Sequence, residues 1–156
     1  MSLEKHEYFV VNNFLFLINH RNNAKSTLVE SYINNGSVDE KQNNLGISHL
    51  LEHVCTDGWK KCGKKGCNDW WKEKGAIMNA STGQTYVNYY IKALPQHLRH
   101  QIDYILNLSV YPDITHKRCE KEKSAVKNEL LMHKQNPSLP IYQILNKMLF
   151  SVEGLV

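Results

Sequence analysis

Apolar and polar positions alternate in two different rhythms along this chain. Residues 7–11 and 14–18 are dense in aromatic and β-branched side chains and flank Asn12-Asn13, which reads as a hairpin. Arg21-Asn22-Asn23 marks a second turn. Residues 26–33 read as the next strand, ended by Asn34-Asn35-Gly36-Ser37. Residues 78–93 read as extended, with 86–93 the clearest strand. Elsewhere the period lengthens to that of a helix. Leu45, Ile47, Leu50, Leu51 and Val54 form an apolar run behind Asn43-Asn44, which suits a helix start. Residues 57–68 form a loop rich in glycine and lysine, and 69–74 a short helix. Pro95 opens a helix through residue 108 with apolar Leu98, Ile102, Ile105 and Leu106, and Tyr111-Pro112-Asp113 breaks it. Residues 117–135 follow as a Lys/Glu-rich helix. It carries Ala125, Val126, Leu130 and Leu131, is capped at or near Thr115, and is stopped by Asn136-Pro137. Residues 141–150 close the series as an amphipathic helix. Paired strands with intervening helices predict an α+β fold.

The first of these helices carries chemistry. His49-Leu50-Leu51-Glu52-His53 places two imidazoles one turn apart, with a carboxylate beside them. Neutral imidazoles at that spacing suit zinc. An adjacent carboxylate can take a proton from a water that the metal polarises. The pattern H-x-x-E-H is the inverted zincin motif, but five residues also arise by chance on an ordinary helix. A catalytic zinc needs a third protein ligand from another element. Glu122 and Glu129 lie seven apart on one face of the 117–135 helix, and either could reach a metal. Solvated charges are the usual fate of such residues.

The spacing between motifs resembles the N-terminal catalytic module of the pitrilysin/insulysin family of zinc metallopeptidases. That family places a ligand glutamate 76 residues after the second histidine, which here is Glu129, and another glutamate seven residues earlier, here Glu122. Gly75-Ala76-Ile77-Met78-Asn79-Ala80-Ser81-Thr82 resembles the family's Gly-Ala-x-x-Asn-Ala-x-Thr stretch, followed by Asn88-Tyr89-Tyr90. Gly36-Ser37-x-x-Glu40 precedes the histidine helix as in the family. The resemblance implies a mixed, mainly antiparallel sheet covered by helices on one face. It implies one Zn2+ per chain held by His49, His53 and Glu129. It assigns Glu52 as general base and Glu122 to the outer shell of the metal. A peptide or small protein substrate is expected along the strand bearing Asn79, Ala80 and Thr82, where backbone hydrogen bonds to a sheet edge would hold it. Thr85, Val87 and the segment Cys55-Thr56-Asp57-Gly58-Trp59 depart from the family pattern and bear on specificity rather than on the metal.

Composition adds bounds. At 156 residues the chain fits one domain with a real core. The net charge of +4 is modest. Lys60-Lys61 and Lys64-Lys65 near Trp59, Trp70 and Trp71 raise a nucleic-acid or metal-binding module as a third reading, but aromatics packed beneath a solvated loop are expected instead. The four cysteines do not form two C-x-x-C pairs. Free thiols in a reducing cytosol are expected, with a Cys62–Cys67 disulfide as the alternative in an oxidising compartment. No apolar run reaches the length of a membrane span, and no secretory or mitochondrial leader is legible. These point to a cytoplasmic protein with neither nucleic acid nor membrane as partner. The family module continues well beyond this length, and residues 151–156 carry no polar tail, so a truncated module is expected. The sequence thus reads as a zinc endopeptidase needing further domains or a complementary peptidase-like subunit. The alternative is a non-catalytic subunit of such a complex.

Overall fold

A computed structural model describes residues 5–135 and 137–150. Strands β1 (Lys5–Val11) and β2 (Phe14–His20) form a hairpin in which Val11 faces Phe14. Its two-residue turn works because Asn12 and Asn13 both adopt positive φ, 49° and 66°. Asparagine tolerates that conformation, and a turn of this hand matches the twist of the flanking strands. The hairpin stands as its own two-stranded sheet, with Tyr8, Leu15 and Leu17 exposed.

A second sheet holds β3 (Thr27–Ile33), β5 (Val87–Ala93) and β4 (Ile77–Thr82), in the order β3-β5-β4. Every described pairing is antiparallel, so the α+β expectation holds, with the strands divided between two sheets. The extended tract foreseen over 78–93 is itself two strands that turn back through Gly83, whose N–H donates to the Tyr86 carbonyl at 2.8 Å. The central strand β5 buries Val87, Tyr89, Ile91 and Ala93.

Helices α1 (Ile47–Thr56), α2 (Cys67–Lys72), α3 (Leu98–Ser109), α4 (His116–Lys134) and α5 (Leu139–Phe150) complete the order. Thr115 caps α4, its hydroxyl accepting from the Arg118 N–H. Asn136, expected to help stop that helix, and residues 151–156 lie outside the described residues. The buried stripe of α3 differs from the predicted one. Leu98 and Ile102 stay exposed, while Gln101, Tyr104, Ile105 and Leu108 face the core. Gln101 tolerates full burial because its amide donates to the carbonyls of Thr27 (3.0 Å) and Ile91 (3.2 Å), tying α3 to β3 and β5. On α4 only Val126 is buried, and Leu130 and Leu131 remain exposed.

The core runs from β5 to a group of aromatic rings. Trp59 stacks on Trp71 at 5.9 Å, and Tyr104 lies within 5.6 Å of both. The tryptophans thus pack beneath the lysine-rich loop. Lys61 pairs with Asp103 and Lys65 with Glu73, and Lys74 sits 3.4 Å over the Trp70 ring. Cys62 and Cys67 are joined as a disulfide, which corrects the expectation of free thiols at these two positions. Positive φ at Gly63 (59°) and Gly66 (81°) curls the loop so that the two Cα atoms stand 4.9 Å apart, within disulfide range. Cys55 and Cys119 are free. Among the described residues no helix is long and apolar enough to cross a membrane.

Candidate metal and catalytic centre

The helix that carries the two histidines is held at its start by a carboxylate. Glu40 accepts from the N–H of Gly46 (2.6 Å) and of Ser48 (2.7 Å), satisfying donors that a helix leaves open at its N-terminus. Glu40 is itself placed by the turn at Gly36. A Cβ at Gly36 would sit 2.3 Å from the Gln84 carbonyl oxygen, so only glycine permits that approach. Val38 then donates to Gln84 and Ser37 to Gly83, pinning the segment to the β4–β5 turn. At the other end of α1, the Tyr104 hydroxyl donates to the Thr56 carbonyl at 2.8 Å. Burial pushes the Tyr104 hydroxyl well above the ordinary phenol range, so it stays a donor.

This arrangement brings three sequence-predicted residues together. His49 Nε2 and His53 Nε2 are 3.2 Å apart. Glu129 Oε2, from α4, lies 3.2 Å from His53 Nε2 and 3.7 Å from His49 Nε2. A tetrahedral divalent ion with ligands at about 2.0–2.2 Å sets neighbouring ligand atoms about 3.3–3.5 Å apart. The three observed separations fall around that value, so these side chains fit such an ion without rebuilding the backbone. Among the described residues they are the group of His, Cys, Asp and Glu side chains with that geometry.

Glu122 stands behind the same cluster. Its Oε2 is 3.8 Å from His53 Nδ1, the nitrogen turned away from Glu129. Its Oε1 is 3.3 Å from Lys121 Nζ, which also lies 3.6 Å from Asp57. Hydrogen bonding and charge from Glu122 hold the Lys121 ammonium above its ordinary range. Glu122 therefore meets both the histidine and a lysine.

Glu52 is buried. Thr82, on β4, donates its hydroxyl to Glu52 Oε2 at 2.6 Å. The sequence placed Thr82 along the substrate strand and did not anticipate this contact. Met78, Ala80 and Thr82 alternate with exposed Ile77, Asn79 and Ser81, so they share the inner face of β4. That alternation was the available signal. A cleft of about 290 Å³ joins the two elements, lined by Glu52 and His53 on one side and by Asn79 and Ala80 on the other. Asn79 is exposed, and its Oδ1 accepts from the Ala80 N–H at 3.0 Å. Behind Glu52, Tyr89 and Cys55 meet in the core. Burial raises both groups above their ordinary values and keeps them neutral.

The chain matches the family described as Insulinase (Peptidase family M16) over residues 15–155. It is 24% identical over 148 residues to an uncharacterised zinc protease, YmxG, of Bacillus subtilis, covering 95% of this chain and 36% of that protein. It is 26% identical over 119 residues to the mitochondrial-processing peptidase subunit beta of Caenorhabditis elegans, covering 76% of this chain and 26% of that protein. The fold superposes on the crystal structure of pitrilysin with a TM-score of 0.79 and 22% identity, over 92% of this chain and 16% of that one. The chain thus spans about a third or less of the length of these relatives.

Proposed function

We propose that this chain, which belongs to the insulinase family of peptidases (M16), supplies the zinc site and the general base of an endopeptidase that hydrolyses peptide bonds. His49, His53 and Glu129 would hold one zinc. When bound there, zinc polarises the scissile carbonyl and acidifies water, so that a nucleophile exists near neutral pH. The chain's own residues do the rest. Glu52 accepts the proton of the attacking water and later delivers it to the leaving amine. Thr82 occupies one oxygen of Glu52 and leaves the other to act. Glu122, 3.8 Å from His53 Nδ1, favours a proton on that nitrogen and so leaves the lone pair of Nε2 for the metal position.

Substrate selection follows from β4. In the order β3-β5-β4 it is an edge strand, and the cleft runs along it past Glu52. An extended peptide adding to that edge would pair backbone to backbone, with Asn79 and Ala80 near the scissile bond. Such pairing reads extended shape more than side-chain identity. The remaining walls of the site would come from further segments or a complementary peptidase-like subunit. The length of the relatives and the word "subunit" in one of their names support that division.

The observation that carries this reading is the convergence of Glu129 on His49 and His53, with Glu52 in the adjoining cleft. Loss of those residues would mark a non-catalytic subunit, and all four are retained. The test is Glu52→Gln in the protein assembled with its complementary half. Zinc stoichiometry and fold should persist while turnover falls by about 10² or more. Equal cleavage rates for the two proteins would remove Glu52 from the mechanism. The 156-residue chain alone should bind zinc and cleave peptides poorly.

A further inference from the structure

The two oxygens of Glu129 are divided between different partners. Oε2 faces the paired imidazoles at 3.2 and 3.7 Å. Oε1 faces His133 Nε2 at 3.4 Å. His133 lies one turn further along α4, at the i+4 position from which a side chain reaches back over its neighbour. It is not among the residues whose ligand atoms converge on the metal position.

Glu129 also needs support more than the other site carboxylates do. Its side chain is 40% exposed, against 12% for Glu122. Glu52 is buried and held by Thr82. A long, half-exposed glutamate has several staggered rotamers open to it, and the observed one aims Oε2 at the histidines. A carboxylate that ligates through one oxygen leaves the other in want of a donor, and such outer contacts orient metal ligands. Here the donor comes from the ligand's own helix, so it moves with Glu129 if α4 shifts against α1.

We propose that His133 is a positioning residue for Glu129. Its Nε2–H donates to Oε1 and fixes the rotamer in which Oε2 meets the metal. This rests on His49, His53 and Glu129 being the zinc ligands. His133 touches neither metal nor substrate, so its effect belongs to metal affinity before it belongs to rate.

Zinc ion titrated against a chromophoric chelator tests this on the purified chain. His133→Ala should weaken zinc binding by about 10–100-fold. His133→Gln, whose amide can donate to the same oxygen, should recover most of that loss. At saturating zinc, kcat and KM of the assembled enzyme should return close to wild type for both variants. Equal zinc affinity in wild type and His133→Ala overturns the proposal. So does a loss that His133→Gln fails to recover, because the donor would then not be what matters. His53→Ala separates the two readings. If wild type binds no zinc, or His53→Ala binds it unchanged, the zinc site itself is wrong and not only its support.

Discussion

Glu52 is a buried carboxylate, and burial of a charge without a partner is costly. The Thr82 hydroxyl supplies that partner at 2.6 Å. Thr82→Val keeps the branched shape but removes the donor. A hydrogen bond to a charged group contributes about 1.5–3 kcal/mol, so unfolding in urea should reveal a loss of that order. Cleavage by the assembled enzyme should fall while zinc content stays at one per chain. A variant with unchanged midpoint and unchanged rate would show that the hydroxyl is dispensable. At this scale the sequence was informative about residues within one helix and about a counted interval. Two histidines and a glutamate one turn apart announce themselves, whereas the residues alone left Glu122 and Glu129 as alternatives and only the family resemblance, through its 76-residue interval from His53, pointed to Glu129. The Thr82–Glu52 bond spans 30 positions and depends on how β4 lies against α1, which no local pattern states. The Glu129–His133 pair was available from the i, i+4 spacing but was lost among the many charges of α4.

Helix α1 is short, and its orientation aims both imidazoles, so what fixes its first turn matters beyond local stability. Glu40 holds two of the open N–H groups there. Glu40→Ala should cost about 1 kcal/mol, as loss of an N-terminal cap does. Zinc affinity should drop with it, because the same turn carries His49. Thermal unfolding of the metal-free protein and zinc titration together check this, and an unaltered titration would uncouple the cap from the site. A steeper effect is expected for Gly36→Ala, whose Cβ would collide with the backbone at Gln84 and displace the whole Glu40 turn. That variant should lower the unfolding midpoint more than Glu40→Ala does. Element type was largely legible. The hairpin turn at Asn12-Asn13, the histidine helix and the long α4 all follow from period and punctuation. The split of residues 78–93 into β4 and β5 was not legible, because Gly83-Gln84 is a weak turn signal inside a run of strand-forming residues. The buried face of α3 was misjudged for a related reason. Period alone prefers Leu98 and Ile102, whereas Gln101 wins its place through carbonyl partners that only the tertiary fold provides.

Across the whole molecule, the disulfide and the candidate metal act on very different lengths of chain. Cys62 and Cys67 close a loop of sequence separation 5, and chain entropy assigns such a closure about 2 kcal/mol. Cys62→Ser should lower stability by roughly that amount with little effect on zinc binding, since the loop lies outside the ligand group; chelator titration and urea unfolding distinguish the two outcomes. Glu129, in contrast, follows His53 by 76 residues, and α4 buries only Val126. Helix α4 is therefore moored to the body of the domain through little apolar surface. An ion held by one side chain of α4 and two of α1, as proposed, would be a rivet across that seam. It would close a long loop whose freedom the metal-free protein would regain. Withdrawing the ion should loosen α4 before it loosens the sheet, and amide exchange along α4 should quicken first.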